Sequence, residues 1–285
     1  MFIFLTSFSK NKIIIINDYK ITSKIDSDIA QSLKESTNMM KAEFYDLSLG
    51  KVNYSKIKGS ETFENYKNVS ANLKNFDLKS LASNEAKKAF WINIYNSLTI
   101  HAVIELSIKN SVLEIKQPFD LTPYRFFETV AYNIGGYIFT LDDIEHGILR
   151  GNTKKHFLFS EPFNNNDKRK EFMLTILDPR IHFSLVCASK SCPPINTYQE
   201  KEIEKQLDLA TANFINGGEV ILDSANFSIK ISKIFDWYKK DFGSNEELLL
   251  FIAKYTRNKE NKDFIIKNYK KLKVTYLDYN WNLND

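Results

Sequence analysis

Polar and apolar positions along the chain predict one dominant helix. From about Asn84 to Ile108 apolar residues fall on nearly every side, through Ala-Phe-Trp-Ile-Asn-Ile-Tyr-Asn-Ser-Leu-Thr-Ile-His-Ala-Val-Ile. A helix that is apolar all round is a buried one, so this segment is expected at the centre of the fold. Ser83 or Asn84 is suited to cap its first amides, and Glu85 suits the positive end of its dipole. Asn93, Ser97 and His101 nevertheless recur every four residues, with Asn96 beside them. At about 3.6 residues per turn they form one polar stripe. Buried polar groups need partners. The stripe is therefore either a hydrogen-bonded network that locks neighbouring loops or the wall of a site.

The other elements are shorter. Phe2–Leu5 and Ile13–Ile16 read as strands, and a helix is expected around Ile25–Leu33. Residues 61–81 are helical and turn-rich. Residues 109–130 contain Pro118 and Pro123 and read as an irregular connection anchored by Phe126 and Phe127. Two extended arms around Gly135-Gly136 predict a hairpin within Tyr132–Thr140. Thr140 to Asp143 then opens a helix. In it Leu141, Ile144 and Ile148 share a face, while His146 and Arg150 lie four apart on another. Residues 151–177 are polar and long enough for a lid or a surface excursion. Ile181–Val186 has extended character. After it come a helix over Gln199–Asn213, a hairpin of Glu219–Leu222 and Phe227–Ile231, and a short helix over Ile234–Phe242. Helices over Glu246–Thr256 and Phe264–Leu272 precede a closing strand, Val274–Tyr279. Many helices with few strands predict an α+β fold: one helix-rich domain with a small, mostly antiparallel sheet and a central buried helix. Residues 52–285 are expected to form it, with residues 1–51 as an N-terminal extension.

Composition narrows the classes. A chain 43% hydrophobic and 14% aromatic is folded, not disordered. A net charge of +4 is small for 285 residues and gives no nucleic-acid signature. Two cysteines do not make a disulfide framework; they leave one bridge, two thiols or half of a metal site. The start, Met-Phe-Ile-Phe-Leu-Thr-Ser-Phe-Ser, has no basic segment before its apolar run, and Ile13–Ile16 is too short to span a bilayer. A cytoplasmic chain without a membrane span is expected, with export open if the start is trimmed.

Reactive side chains concentrate between Asp178 and Ile195. This stretch holds Cys187, Cys192 and His182, and Pro193-Pro194 ends it. Strand alternation over Ile181–Val186 sets His182, Ser184 and Val186 on one face and Phe183, Leu185 and Cys187 on the other. Cys187 then needs a base from elsewhere, His146 or His101, or a bend that returns His182. Free backbone amides or Lys190 would stabilise its thiolate; the plainer reading is a small buried hydrophobe. Cys-x4-Cys lacks the paired spacing of structural zinc, so no metal is assigned. No Walker loop, dinucleotide fingerprint, Gly-x-Ser-x-Gly or His-Glu-x-x-His occurs, and no cofactor is expected. Glu145 and His146 point about 100° apart on a helix. Arg150 and Arg180 are candidates for an anionic substrate group, although Asp178-Pro-Arg180 also suits a turn with an ion pair.

Four blocks resemble the uncharacterised family catalogued as domain of unknown function 547. They are Ala-Phe-Trp-Ile-Asn-Ile-Tyr-Asn (89–96), Leu-Asp-Asp-Ile-Glu-His-Gly-Ile-Leu-Arg (141–150), Asp178 to Pro194, and Tyr-Leu-Asp-Tyr-Asn-Trp-Asn-Leu-Asn (276–284). They span about 52–284. In the last block Asn280 stands where the family pattern leads one to expect an acid, which weakens a charge-based role there. The resemblance implies a domain but no established activity. A fold-level analogy to papain-like and transglutaminase-like proteins rests on a buried helix and a His-bearing strand.

Two functions follow as expectations. The first is a cysteine-dependent hydrolase or acyl transferase acting on a small molecule or peptide. Cys187 is its nucleophile and His146 or His182 its base, oriented by Asn93 or Glu145. Asn93, Asn96, Ser97, His101, Arg150 and Arg180 are its binding residues. The second is a non-catalytic binding or scaffold domain whose motifs form a buried polar network.

Overall fold

The helix Asn84–Glu105 runs through the interior, and every residue from Ile94 to Ile104 is buried. Ser83 caps it by accepting the Ala86 amide at 2.9 Å. The structure, a computed structural model, describes residues 12–25, 28–46, 49–116, 124–155 and 160–285. The expected strand Phe2–Leu5 and the prolines Pro118 and Pro123 lie outside these residues.

In chain order the α-helices are α1 (Ile29–Phe44), α2 (Tyr54–Ile57), α3 (Glu61–Asn72), α4 (Asn84–Glu105) and α5 (Arg125–Thr129). They continue as α6 (Ile203–Asn216), α7 (Lys233–Trp237), α8 (Lys239–Phe242), α9 (Asn245–Tyr255) and α10 (Lys259–Asn268). The strands are β1 (Ile14–Ile15), β2 (Tyr45–Asp46), β3 (Lys51–Val52), β4 (Val130–Ile134) and β5 (Tyr137–Thr140). The last three are β6 (Val220–Asp223), β7 (Ser228–Ile231) and β8 (Lys273–Tyr276). The fold is α+β. Its strands divide over three small sheets, β1-β4-β5, β2-β3 and β6-β7-β8. The hairpins are antiparallel, whereas β1 joins β4 and β8 joins β7 in parallel. Gly135 and Gly136 have φ of 58° and 83°, the pair of positive values a two-residue hairpin turn requires. Among the described residues no helix is long and apolar enough to cross a membrane.

Three expectations change. The first helix begins later and runs on to Phe44, because Asp28 caps it by accepting the Ala30 and Gln31 amides. Described residues before Val52 pack against the main body: β1 pairs with β4, and Leu33 and Met40 of α1 enter the main core. Asn17 joins them, donating to the Ser70 and Asn133 carbonyls at 2.9 Å each. The described part of 151–177 is anchored, not loose, since Phe163 and Leu174 are buried.

Two apolar cores result. The larger surrounds α4. The smaller joins Phe183 and Phe214 to α7, α9 and the sheet β6-β7-β8. The stretch from Ile181 to Leu185 threads between them: Ile181 and Leu185 belong to the larger core and Phe183 to the smaller. The candidate site lies on this seam.

Candidate functional site

A cleft of about 400 Å³ opens between the two cores. Tyr95, Glu145, His146, His182, Cys187 and Cys192 line one part of it, and Trp237, Tyr238, Tyr279 and Trp281 another. The four residues expected to be catalytic therefore line a single cavity. The expected binding residues Asn93, Asn96, Ser97, His101, Arg150 and Arg180 do not line it.

Glu145 and His146 sit on a π-helix, Asp143–Leu149. Its widened turn shows in the bonds from the Arg150 amide to the Glu145 carbonyl, 2.9 Å, and from the Asn152 amide to the Gly147 carbonyl, 2.8 Å. Thr140 and Asp143 close its start reciprocally, each side chain accepting the other's amide at 3.0 Å. Gly147 is needed because a Cβ there would run into the Phe163 ring. On a regular α-helix adjacent side chains diverge by about 100°. Here Glu145 and His146 both reach the cleft wall.

Arg150 organises the two histidines. Its Nε and Nη2 donate to Asp241 at 2.6 and 2.7 Å, a bidentate pair with both side chains buried. Its Nη1 donates to His146 Nδ1 at 2.7 Å. A guanidinium only donates, so Nδ1 carries the lone pair and the His146 proton sits on Nε2. That Nε2 is 3.9 Å from Asp142 Oδ1, beyond a hydrogen bond. Burial, with Arg150 and Lys155 adding to it against Glu145, lowers the His146 pKa to about 3. His146 is thus neutral at neutral pH, with its proton on Nε2.

His182 has the complementary arrangement. Its Nε2 meets Asp241 Oδ2 at 2.8 Å and donates to the carboxylate, while Nδ1 is buried with no hydrogen-bond partner. The Tyr238 ring stacks on the imidazole, centroids 3.7 Å apart. Burial lowers the His182 pKa against the opposing pull of Asp241. Burial acts to raise the Asp241 pKa, but its bonds to His182 and Arg150 prevail and bring it down to about 2. His182 offers a free, oriented lone pair at neutral pH.

The expected strand over Ile181–Val186 does not form, which removes the analogy built on a His-bearing strand. Pro179–Phe183 is instead a 3-10 turn, capped by Asp178 accepting the Arg180 amide. Pro179 opens it, where a missing amide is harmless. Alternation therefore does not separate His182 from Cys187. Beyond it, Ala188 has a φ of 59°, a left-handed value that is strained for alanine. The turn returns Ser189 Oγ to within 3.1 Å of Cys187 Sγ, and Tyr279 Oη lies 3.0 Å from the same sulfur. The two cysteines are free thiols. The Cys187 amide donates to Cys192 Sγ at 2.7 Å. Burial works to raise the Cys187 pKa, but hydrogen bonds from Cys192, Ser189 and Tyr279 outweigh it and lower the pKa to about 7. Burial pushes Cys192 up. Among the described residues no three His, Cys, Asp or Glu side chains converge as metal ligands.

The polar stripe of α4 is occupied by the protein itself. Asn93 donates to the Tyr198 carbonyl and accepts its amide, both at 2.8 Å. Asn96 does the same with the Ser184 carbonyl and Val186 amide, both at 2.9 Å. Ser97 meets Thr37, and His101 lies between Tyr132 and Tyr19. Asn93 and Asn96 thus pin the chain on both sides of the cysteines. Arg180 is held by Asp178, Glu204 and Asp208.

Asp241 and Tyr238 were not among the expected site residues. Nothing in Asp236-Trp-Tyr-Lys-Lys-Asp241 marks them; only the packing of the second core against Ile181–Leu185 does. Trp237 and Trp281 also line the cleft. Asn280 acts locally: its side-chain oxygen accepts the Asn282 amide at 3.0 Å.

Residues 78–215 match the model of a family described as protein of unknown function, DUF547, which bears out the resemblance of the first three sequence blocks. The fourth, 276–284, lies outside the match, as do Tyr238 and Asp241. No curated protein and no solved structure matches the chain.

Proposed function

We propose that the cleft is the active site of a cysteine-dependent acyl transferase or hydrolase. The observation that carries this reading is the unpartnered Nδ1 of His182, a residue backed by Asp241 that lines the same cavity as Cys187. A nucleophile, a base and a group that orients the base are the parts acyl transfer requires. His182 takes the Cys187 proton. The thiolate forms a C–S bond to the acyl carbon as the bond to the leaving group breaks, and the leaving group departs with the proton. Water or an amine then attacks the thioester, and the C–S bond breaks to restore the thiol. The His146 Nε2 proton is suited to the carbonyl oxygen, where negative charge develops. Asp241 fills the orienting role expected of Asn93 or Glu145.

Alkylation by iodoacetamide, read at Cys187 by peptide mass spectrometry across pH, tests this. The wild-type rate should rise through a midpoint near pH 7. Ser189→Ala with Tyr279→Phe should slow it at pH 7 by about tenfold, as the thiol moves back toward its ordinary value, and His182→Ala should slow turnover of p-nitrophenyl acetate by about a hundredfold, the loss of a general base. An alkylation rate equal to that of the denatured chain, or ester turnover indifferent to His182→Ala, refutes the reading.

A further inference from the structure

Glu145 is the anomaly of the cleft. It is 5% exposed, and its Oε2 accepts the Tyr95 hydroxyl at 3.0 Å. Its Oε1 is buried without a hydrogen-bond partner. Every other acid around the cavity has a cation. Asp142 pairs with Lys155 at 2.9 Å, Asp236 with Lys233 at 2.6 Å, and Asp241 behind the wall with Arg150. Among the described residues no cationic side chain lies within 4.0 Å of Glu145. Arg150, the closest candidate on its own helix, is committed to Asp241 and His146. Burial acts to raise the Glu145 pKa, but the Tyr238 hydroxyl and the Arg150 charge help bring it below the ordinary value. The site therefore keeps a buried carboxylate ionised and leaves one oxygen open. A buried charge without a partner is costly unless something completes it.

The surrounding side chains point to what completes it. Tyr95, Tyr124, Phe127, Trp237, Tyr238 and Trp281 line the same cavity. Aromatic faces carry negative potential and attract cations, most strongly when water is excluded. A carboxylate inside an aromatic enclosure is a poor site for phosphate or carboxylate groups and a good one for an ammonium.

We infer that this cleft binds a ligand through a primary or substituted ammonium group, held by the open Oε1 of Glu145 and by the aromatic walls. As a statement about substrate this rests on the acyl-transfer reading, in which an amine is the donor's side chain or the acceptor. As a statement about binding it does not need the thiol to react.

Titration of the full chain with n-butylammonium and with n-butanol, which has the same chain length without the charge, tests the inference. Trp237 and Trp281 provide the fluorescence signal. Butylammonium should bind at least tenfold more tightly than butanol. Glu145→Gln should remove that preference while leaving butanol unchanged, and Cys187→Ala should preserve it. Equal affinity for the two probes, or binding of neither at millimolar concentration, overturns the inference whether or not the variant folds. A preference retained in Glu145→Gln also overturns it. If the preference holds but Cys187 alkylates like an ordinary thiol, the acyl-transfer reading fails and the ammonium site stands.

Discussion

His101 and His182 are both buried imidazoles packed against tyrosines, and they use their nitrogens in opposite ways. His101 has both occupied, Nδ1 at 2.7 Å from the Tyr132 hydroxyl and Nε2 at 3.1 Å from that of Tyr19. His182 has Nε2 occupied and Nδ1 buried without a partner, in a residue that lines the cleft. The contrast extends to their surroundings. Along the α4 stripe Asn93 and Asn96 each close on two backbone groups of another segment. Along the cleft Glu145 and His182 each keep a buried acceptor empty. Satisfied polar groups hold a fold together, whereas unsatisfied ones raise its energy and wait for a ligand. The α4 stripe of Asn93, Asn96, Ser97 and His101 belongs to the first class, and Glu145 and His182 of the cleft to the second.

The largest effect that sharpens this comparison is acid lability. Burial lowers the pKa of His101 and of His146 to about 3, against about 6.5 in an unfolded chain. The unfolded state then binds more protons between those limits, so stability falls as pH drops through 6.5 and continues to fall toward 3. At pH 4.5 each histidine contributes roughly 2–3 kcal/mol of this loss. Urea unfolding at pH 7.5 and 4.5 should show it, and His101→Phe should recover about half. A pH-independent midpoint would mean that these imidazoles are solvated.

A smaller loss is expected from Asn96→Ala. It strands the Ser184 carbonyl and the Val186 amide, at about 1–3 kcal/mol for each unsatisfied group. A destabilisation of about 2–4 kcal/mol in urea is predicted. A cost under about 1 kcal/mol would remove Asn96 from the set of structural locks.

Glu145→Gln should change stability least, and in the other direction. It removes an unpaired buried charge and keeps an oxygen for the Tyr95 hydroxyl. A variant between unchanged and about 1 kcal/mol more stable is expected, since sites built for function are rarely optimal for folding. A loss above about 2 kcal/mol would place Glu145 among the locks with Asn96.

Local pattern was sufficient for much of this. The run from Ala89 to Ile104, apolar on every side, can only be an interior helix, and Gly135-Gly136 between extended arms can only turn tightly. Period and turn chemistry are properties of neighbours in sequence, so they were legible. The same holds for the concentration of Cys187, Cys192 and His182 in one short stretch. What the sequence could not determine was direction and partnership. Alternation over Ile181–Val186 failed because Asp178 and Pro179 start a 3-10 turn there. The π-helix at Asp143–Leu149 has no local signature beyond Gly147, whose need for space comes from Phe163 sixteen residues on. Asp241 reaches His182 across 59 residues, and Tyr279 reaches Cys187 across 92. Which polar residue is locked and which is open depends on atoms contributed by distant segments. Hydrogen-bond satisfaction is a property of the assembled fold, so only the tertiary structure could separate Asn96 from Glu145.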